Sequence, residues 1–292
     1  MECRVVQVDA FTKIPGQGNP AGVILSGDDY STEQMQEIAK KVGFNECVFV
    51  CTSQVGDVKL RYFTPGHETP LCGHATMGAV YLLSQQENTD RDWRVETQAG
   101  IITVSYEKET EKMTMEQAPA KFTAFEGDQE ALCQAIGILE ADLEPEMPIV
   151  YGNTGSWTLI VPVKEPAVLD KMVPQTKHFP DILKEIPKSS IHPFALSTKQ
   201  ADQYEARHFS SPFSGTTEDS VTGTASGVMG AYLLDHLYRE KSEQEISILQ
   251  GKHVQKEGRL TVLAKRAADG HHFVSITGTA CKNQELSISI EK

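Results

Sequence analysis

Three kinds of residue in this chain can move protons or hold an anion. Glu46 stands where a helical run has ended and the mostly apolar stretch Cys47-Val48-Phe49-Val50 begins. A carboxylate drawn partly out of water there has a raised pKa and can serve as a general base, and once protonated as a general acid. An exposed Glu at the start of a strand is the plainer reading. His74 and Thr224 each follow a glycine, in Leu71-Cys72-Gly73-His74-Ala75-Thr76 and Val221-Thr222-Gly223-Thr224-Ala225-Ser226. Each segment opens an apolar helix, whose first N–H groups attract a carboxylate. Local packing for His74 and a helix cap for Thr224 are the alternatives. Asp219 can orient a group or cap the same helix, and Asn19 in Gly18-Asn19-Pro20 can bind or simply turn the chain.

Cys72 is informative for what it lacks. A pair of thiols, one on each face of a carbon, is the acid/base dyad of a cofactor-independent epimerase, but the position matching Cys72 is Thr222. An aliphatic hydroxyl is far too weak an acid to replace a thiol. A one-base reaction is favoured.

The two glycine segments belong to a longer repetition. Around the first lie Arg61-Tyr62-Phe63 before it and Gly100-Ile101-Ile102-Thr103-Val104 after it. Around the second lie Arg207-His208-Phe209 and Gly258-Arg259-Leu260-Thr261-Val262. Matches in the same order argue for duplication. Strands are expected at Arg4–Phe11, Gly22–Leu25, Cys47–Val50 and Trp157–Val161. A helix is expected after Ser31, where Gln34 completes a capping box, Met35, Ile38, Ala39 and Val42 repeat at helical spacing and Gly43 ends the run. Met77–Leu83 and Val228–Leu234 are apolar on nearly every face, as in helices surrounded by protein.

The expected fold is α+β: two similar domains, each a curled barrel-like sheet around a central helix, with the active site between them. The expected boundaries are 1–118 and 119–278, and the last strand, within 279–292, can join either domain. Composition sets the outer limits. The chain has 292 residues, 39% of them hydrophobic, enough for two medium cores. Twenty-seven basic against forty acidic residues, a net charge of −13, leave no basic track for nucleic acid. The N-terminus lacks a signal-peptide pattern and no apolar run reaches membrane-spanning length, so a cytoplasmic location is expected. Six cysteines without a Cys-x-x-Cys pair indicate neither a zinc site nor a disulfide framework.

Val8-Asp9-Ala10-Phe11, Gly18-Asn19-Pro20-Ala21-Gly22, Asn45-Glu46, Arg61–Pro65, Cys72–Thr76 and Glu218-Asp219 with Thr222–Ala225 occur together and in order. With them the chain resembles the PhzF-like family of phenazine-biosynthesis isomerases, from the first strand to the C-terminal hairpin. The resemblance implies a fold shared with diaminopimelate epimerase, a homodimer and no metal or organic cofactor. It implies that a glutamate matching Glu46 moves a proton between carbons of a cyclic dihydroxylated anthranilate-type substrate. Residues matching His74, Asp219 and Thr224 line that site. Two positions depart from the family pattern: Ser220 stands where Pro is common, and Thr224 stands for Ser, which keeps the hydroxyl and adds a methyl group.

The expected function is therefore a cofactor-independent isomerase acting on a small carboxylate. Glu46, His74 and Asp219 are its catalytic residues, and Asn19, Gly73, His74, Asp219, Gly223 and Thr224 bind substrate. A racemase or epimerase of the same fold, and a non-catalytic binding or stress-related scaffold, are the rival readings.

Overall fold

A computed structural model describes residues 1–197 and 201–290. Residues 291–292, the end of the segment expected to join either domain, lie outside it. Contacts divide the chain into two compact units: Met1–Glu116 with the segment from Thr277 onward, and Gln117–Ile276.

The first unit contains β1 (Glu2–Ala10), β2 (Asn19–Ile24), α1 (Thr32–Val42), β3 (Glu46–Cys51), β4 (Val58–Phe63), β5 (Glu68–Thr69), α2 (Gly73–Glu87), β6 (Arg91–Thr97), β7 (Gly100–Glu107) and β8 (Lys112–Glu116). α1 forms as its sequence requires. The Ser31 side chain accepts from the Gln34 N–H, the Gln34 side chain accepts from the Ser31 N–H, and Gly43 closes the helix at φ +73°. Its Met35, Ile38 and Ala39 pack with Phe49 and Phe63 in an apolar cluster. β2 begins earlier than expected. Asn19 is no turn residue but is fully buried and pairs with Ala10, while the turn occupies the residues before it. Gly18, at φ +68°, makes this close return possible, because a Cβ there would lie 2.2 Å from the Ala10 carbonyl oxygen.

β1 pairs antiparallel with β2 on one side and with the C-terminal strand Ala280–Ser289 on the other. Beyond β2 the order is β3 (parallel), β4 (antiparallel), β6 (parallel), β7 and β8 (both antiparallel). α2 touches β1, β2, β3, β7 and the C-terminal strand, so the sheet curls around it. Only Ala75–Val80 and Ser84 of α2 are buried. Tyr81, Leu82 and Leu83 are half-exposed, so the enclosure expected on every face holds for the first half of the helix alone.

The second unit contains β9 (Lys121–Ala124), α3 (Gln129–Ile136), β10 (Val150–Asn153), β11 (Trp157–Pro162), α4 (Pro166–Lys171), α5 (Phe179–Ile182), β12 (Ser190–Leu196), β13 (Gln203–Ala206), α6 (Gly223–His236), β14 (Glu243–Gln250) and β15 (Gly258–Arg266). Its pairings run β9–β10–β11 antiparallel, β11–β12 parallel, β12–β13 antiparallel, β13–β14 parallel and β14–β15 antiparallel. The first unit repeats this alternation strand for strand: C-terminal strand, β1, β2, β3, β4, β6, β7. α6 is buried without a break from Ala225 to Leu234, and it touches β10, β11, β14 and β15. The added helices α3, α4 and α5 cover the other side of β10–β12, with Leu132, Ile136, Leu169 and Phe179 at their core.

This is the α+β fold expected, two curled sheets each around a helix. No helix among the described residues is long and apolar enough to cross a membrane.

Candidate active site

The strand equivalence places the start of β3 and the N-terminus of α2 in one structural unit, and Glu46 opens that strand. Gly22 and Cys47 are register partners, as are Ala21 and Glu46, so parallel pairing with β2 sets the position of the carboxylate. The rest of β3 is buried while the Glu46 side chain keeps 23% of its exposure, enough to meet a small molecule.

Cys72 is the N-cap of α2 and His74 its second residue. The His74 ring lies between two partners. Its Nδ1 is 3.4 Å from Cys72 Sγ, and its Nε2 is 3.4 Å from Glu46 Oε2. The Nε2 contact is an ion pair whenever the ring is protonated, and the direction of the Nδ1 contact with the thiol depends on the ring tautomer. The entry of the chain into α2 is held from beneath: the Tyr62 hydroxyl and Thr76 Oγ1 lie 2.7 Å apart, and Thr76 Oγ1 donates to the Cys72 carbonyl at 2.7 Å. No acidic residue sits in the first turn, and the Cys72 side chain accepts no bond from it. The positive end of the helix thus has no acidic side chain of its own to offset it.

Arg61 and Glu68 complete the support. The guanidinium donates to the carboxylate through Nε and Nη2, both at 2.8 Å, four residues before Cys72. The matching Arg207 donates to Glu218, four residues before Thr222, at 3.0 and 2.7 Å. In each unit the guanidinium also lies over the Phe two residues on, 5.2 Å from Phe63 and 4.7 Å from Phe209. The Arg-x-Phe repetition was visible in the sequence. That Glu68 and Glu218 are its partners is not visible there, although both stand four residues before a helix N-cap.

In the second unit the N-cap is Thr222, so Thr224 is no cap but the second helical residue. Its Oγ1 lies 3.2 Å from Ser156 Oγ, and its carbonyl accepts from Thr154 Oγ1 at 2.8 Å. Asp219 Oδ2 accepts from the hydroxyl of Thr222, the N-cap, at 2.7 Å, and its N–H bonds the His208 carbonyl. Gln250 donates to the Asp219 carbonyl at 2.9 Å, fixing the loop further. β12, the counterpart of β3, opens on Ser190 rather than on a carboxylate.

Five of the six cysteines are buried, and none forms a disulfide. Burial pushes the thiols of Cys51, Cys133 and Cys281 up to about 11 and that of Cys47 to about 12. They are poor sources of thiolate, as expected of small packing residues. Cys72, beside an imidazole, is in a different environment.

A family model described as phenazine biosynthesis-like protein matches residues 8–285. The chain belongs to this family. The phenazine biosynthesis-like chain is 44% identical over 294 residues to the uncharacterised isomerase YfhB of Bacillus subtilis, covering 99% of both. It is 30% identical over 279 residues to a trans-2,3-dihydro-3-hydroxyanthranilate isomerase of Pseudomonas aeruginosa, covering 94% of this chain and 95% of that one. Among solved structures it is similar to the PhzF family protein of Bacillus anthracis, with a TM-score of 0.94 and 43% identity over 99% of this chain and 100% of the other. The chain is accordingly an enzyme of the isomerase class. One expectation needs correction: the relative's substrate is a dihydro ring with one hydroxyl, not a dihydroxylated one.

Proposed function

We propose that this phenazine biosynthesis-like isomerase moves a proton between carbons of a small carboxylate, with Glu46 as general base and then general acid. The contact between Glu46 and His74 Nε2 carries this reading. A base that takes a proton from carbon and returns it elsewhere must alternate between charge states. An imidazole 3.4 Å away supports the ionised carboxylate when it carries a positive charge, and the support is withdrawn when it is neutral. The reaction needs no metal or organic cofactor. Gly73 and His74 at the α2 N-terminus, together with buried Asn19, serve as substrate-binding groups. Asp219, Gly223 and Thr224 do so at the α6 N-terminus, Asp219 being held for the task by Thr222. The methyl group of Thr224 narrows its surroundings, which points to a substrate other than the ring acted on by the Pseudomonas relative.

Deuterium incorporation tests this directly. The protein is incubated in heavy water with trans-2,3-dihydro-3-hydroxyanthranilate and with a panel of small unsaturated or hydroxylated carboxylates, and carbon-bound deuterium is read by mass spectrometry. At least one compound exchanges, and Glu46→Gln lowers its exchange by about 10²–10⁴-fold. Exchange at the normal rate in that variant refutes the assignment of the base.

A second reading has one observation behind it. Cys72 Sγ at 3.4 Å from His74 Nδ1 is an arrangement in which the imidazole can take the thiol proton. An epimerase using Cys72 would lose stereocentre inversion in Cys72→Ser, whereas the Glu46 mechanism keeps exchange in that variant. The homodimer implied by the family is checked by light scattering of the purified chain.

A further inference from the structure

Glu46, Cys72 and His74 form the one group among the described residues in which three metal-ligating atoms, one from each side chain, lie within 4.8 Å of one another. We infer that this trio is a binding site for a thiophilic divalent cation such as Zn²⁺, and that the bound ion silences the enzyme. The inference rests on the Proposed function only in its second half, because the ion takes the lone pairs that Glu46 needs as a base.

The ligand types suit zinc: one thiolate, one imidazole and one carboxylate leave a fourth position for water or a substrate oxygen. Tetrahedral zinc with ordinary bond lengths separates sulfur from nitrogen, and nitrogen from oxygen, by about 3.5 Å. Here Cys72 Sγ is 3.9 Å and Glu46 Oε2 is 3.4 Å from His74 Nε2, so the ring can present one nitrogen to an ion shared with both. Because Sγ also lies 3.4 Å from Nδ1, the ring must turn for one nitrogen to face both ligands. The backbone beneath is held by the Tyr62, Thr76 and Cys72 carbonyl contacts. Charge also balances, because the thiol gives up its proton to solvent when the metal–sulfur bond forms, and Glu46 and Cys72 then neutralise the dication.

The repeat supplies an internal control. At the corresponding places the second unit carries Ser190, Thr222 and Thr224, whose hydroxyls are poor zinc ligands. Elsewhere Asp170 meets His253 and Asp235 meets His272, each a carboxylate and an imidazole without a thiol. One equivalent of metal per chain is therefore expected, and about one proton released with it.

Zn²⁺ is titrated into the full chain in competition with a chromogenic chelator, and Co²⁺ is used as a spectroscopic substitute. The site requires one equivalent bound, affinity lowered more than about tenfold in Cys72→Ser, affinity unchanged in Cys281→Ser, and a thiolate-to-cobalt charge-transfer band. Zinc that binds equally well to Cys72→Ser, or cobalt bound without that band, is adventitious surface binding and overturns the inference. Circular dichroism checks the fold of each variant. Should Cys72→Ser not fold, the cobalt spectrum of the unaltered chain, before and after thiol alkylation, decides alone. Deuterium exchange should stop on zinc addition and return with EDTA. Stoichiometric, Cys72-dependent binding with unaltered exchange leaves the metal site standing and removes Glu46 as the base, so the two readings fail separately.

Discussion

The entrances to α2 and α6 are built from the same parts and end in different chemistry. Both are reached through an arginine that clasps a glutamate four residues before the helix N-cap and covers a phenylalanine two residues on. Both begin with a residue that does not cap its own first turn, followed by glycine. At the tip, one unit presents Cys72, His74 and Glu46, the other Thr222, Thr224 and Ser190. The support has been kept in both copies, while the thiol, the imidazole and the strand-opening carboxylate stand in one and Asp219 in the other. On the proposed function, such a helix entrance serves as an anion-directed platform and proton chemistry is an addition to it.

The sharpest way to break this asymmetry is at the two strand starts. Glu46→Gln is expected to lower exchange by about 10²–10⁴-fold, whereas Ser190→Ala, which removes only a 3.4 Å bond to the Trp157 carbonyl, should leave the rate within a small factor. Equal losses in steady-state exchange would show that the second entrance also takes part in the chemistry.

The clasps come next. Arg207 and Glu218 have side chains only 6% and 8% exposed, and Arg207 also donates to the carbonyls of Leu169 and Met172. Arg207→Ala leaves a buried carboxylate unpaired and should cost about 3–5 kcal/mol in urea unfolding. Arg61 and Glu68 keep about a fifth of their exposure, so water can take over part of their solvation, and Arg61→Ala should cost less than half as much. A larger cost at Arg61 would mean that the first entrance depends more on its clasp than burial indicates.

Packing of the central helices gives a smaller contrast. A Cβ on Gly230 would lie 2.5 Å from Val262 Cγ1, but one on Gly78 meets nothing closer than Val8 Cβ at 3.3 Å. Gly230→Ala should destabilise by about 1–3 kcal/mol through overpacking. Gly78→Ala should be milder, since helix propensity offsets part of the strain. Thermal melting of the two variants side by side checks the order.

The smallest effect depends on pH. The second unit buries two histidines, His192 and His208, with their Nδ1 atoms 3.3 Å apart, where the first unit has Val48 and Tyr62. Burial holds both imidazoles below their ordinary value, that of His192 well below it, although Asp219 and Glu218 partly counter this at His208. The unfolded chain then binds protons that the folded one refuses. Stability contributed by the neutral pair is present above about pH 6.5 and is lost as pH falls from there toward the depressed folded values. The slope is up to about 1.4 kcal/mol per pH unit for each histidine. Hydrogen exchange at pH 7 and pH 5.5, corrected for intrinsic rates, should show protection falling in β12 and the segment before α6 more than in β3 and β4. His192→Phe should reduce that difference.

Much of this was legible before any coordinates. The Ser31 capping box and Gly43 stop are local, involving bonds within a few residues, and α1 follows them to the residue. The absence of a second thiol opposite Cys72 needed only an alignment of the two halves. Other features were hidden because their causes are distant. Asn19 looked like a turn residue, yet its ladder bonds to β1 place it inside a strand. The C-terminal strand could be placed only through Ala10 and Ala280, partners 270 residues apart in sequence. The short helices α3, α4 and α5 carry periodicity too brief to stand out, and their apolar residues gain a common direction only against β10–β12.

From the sequence alone came the duplicated plan, the family to which the chain belongs and the types of residue available for chemistry, because each depends on spacing along the chain or on side-chain identity. Tertiary structure decided that His74 stands between Cys72 and Glu46, that Asp219 accepts from the Thr222 hydroxyl, and that each arginine has its glutamate. The Cys72–His74 and Asp219–Thr222 contacts are local, but the clasps and the Glu46–His74 contact join separate strands, helices and loops. Their geometry follows from how the sheets curl around α2 and α6, and no local pattern encodes that curvature.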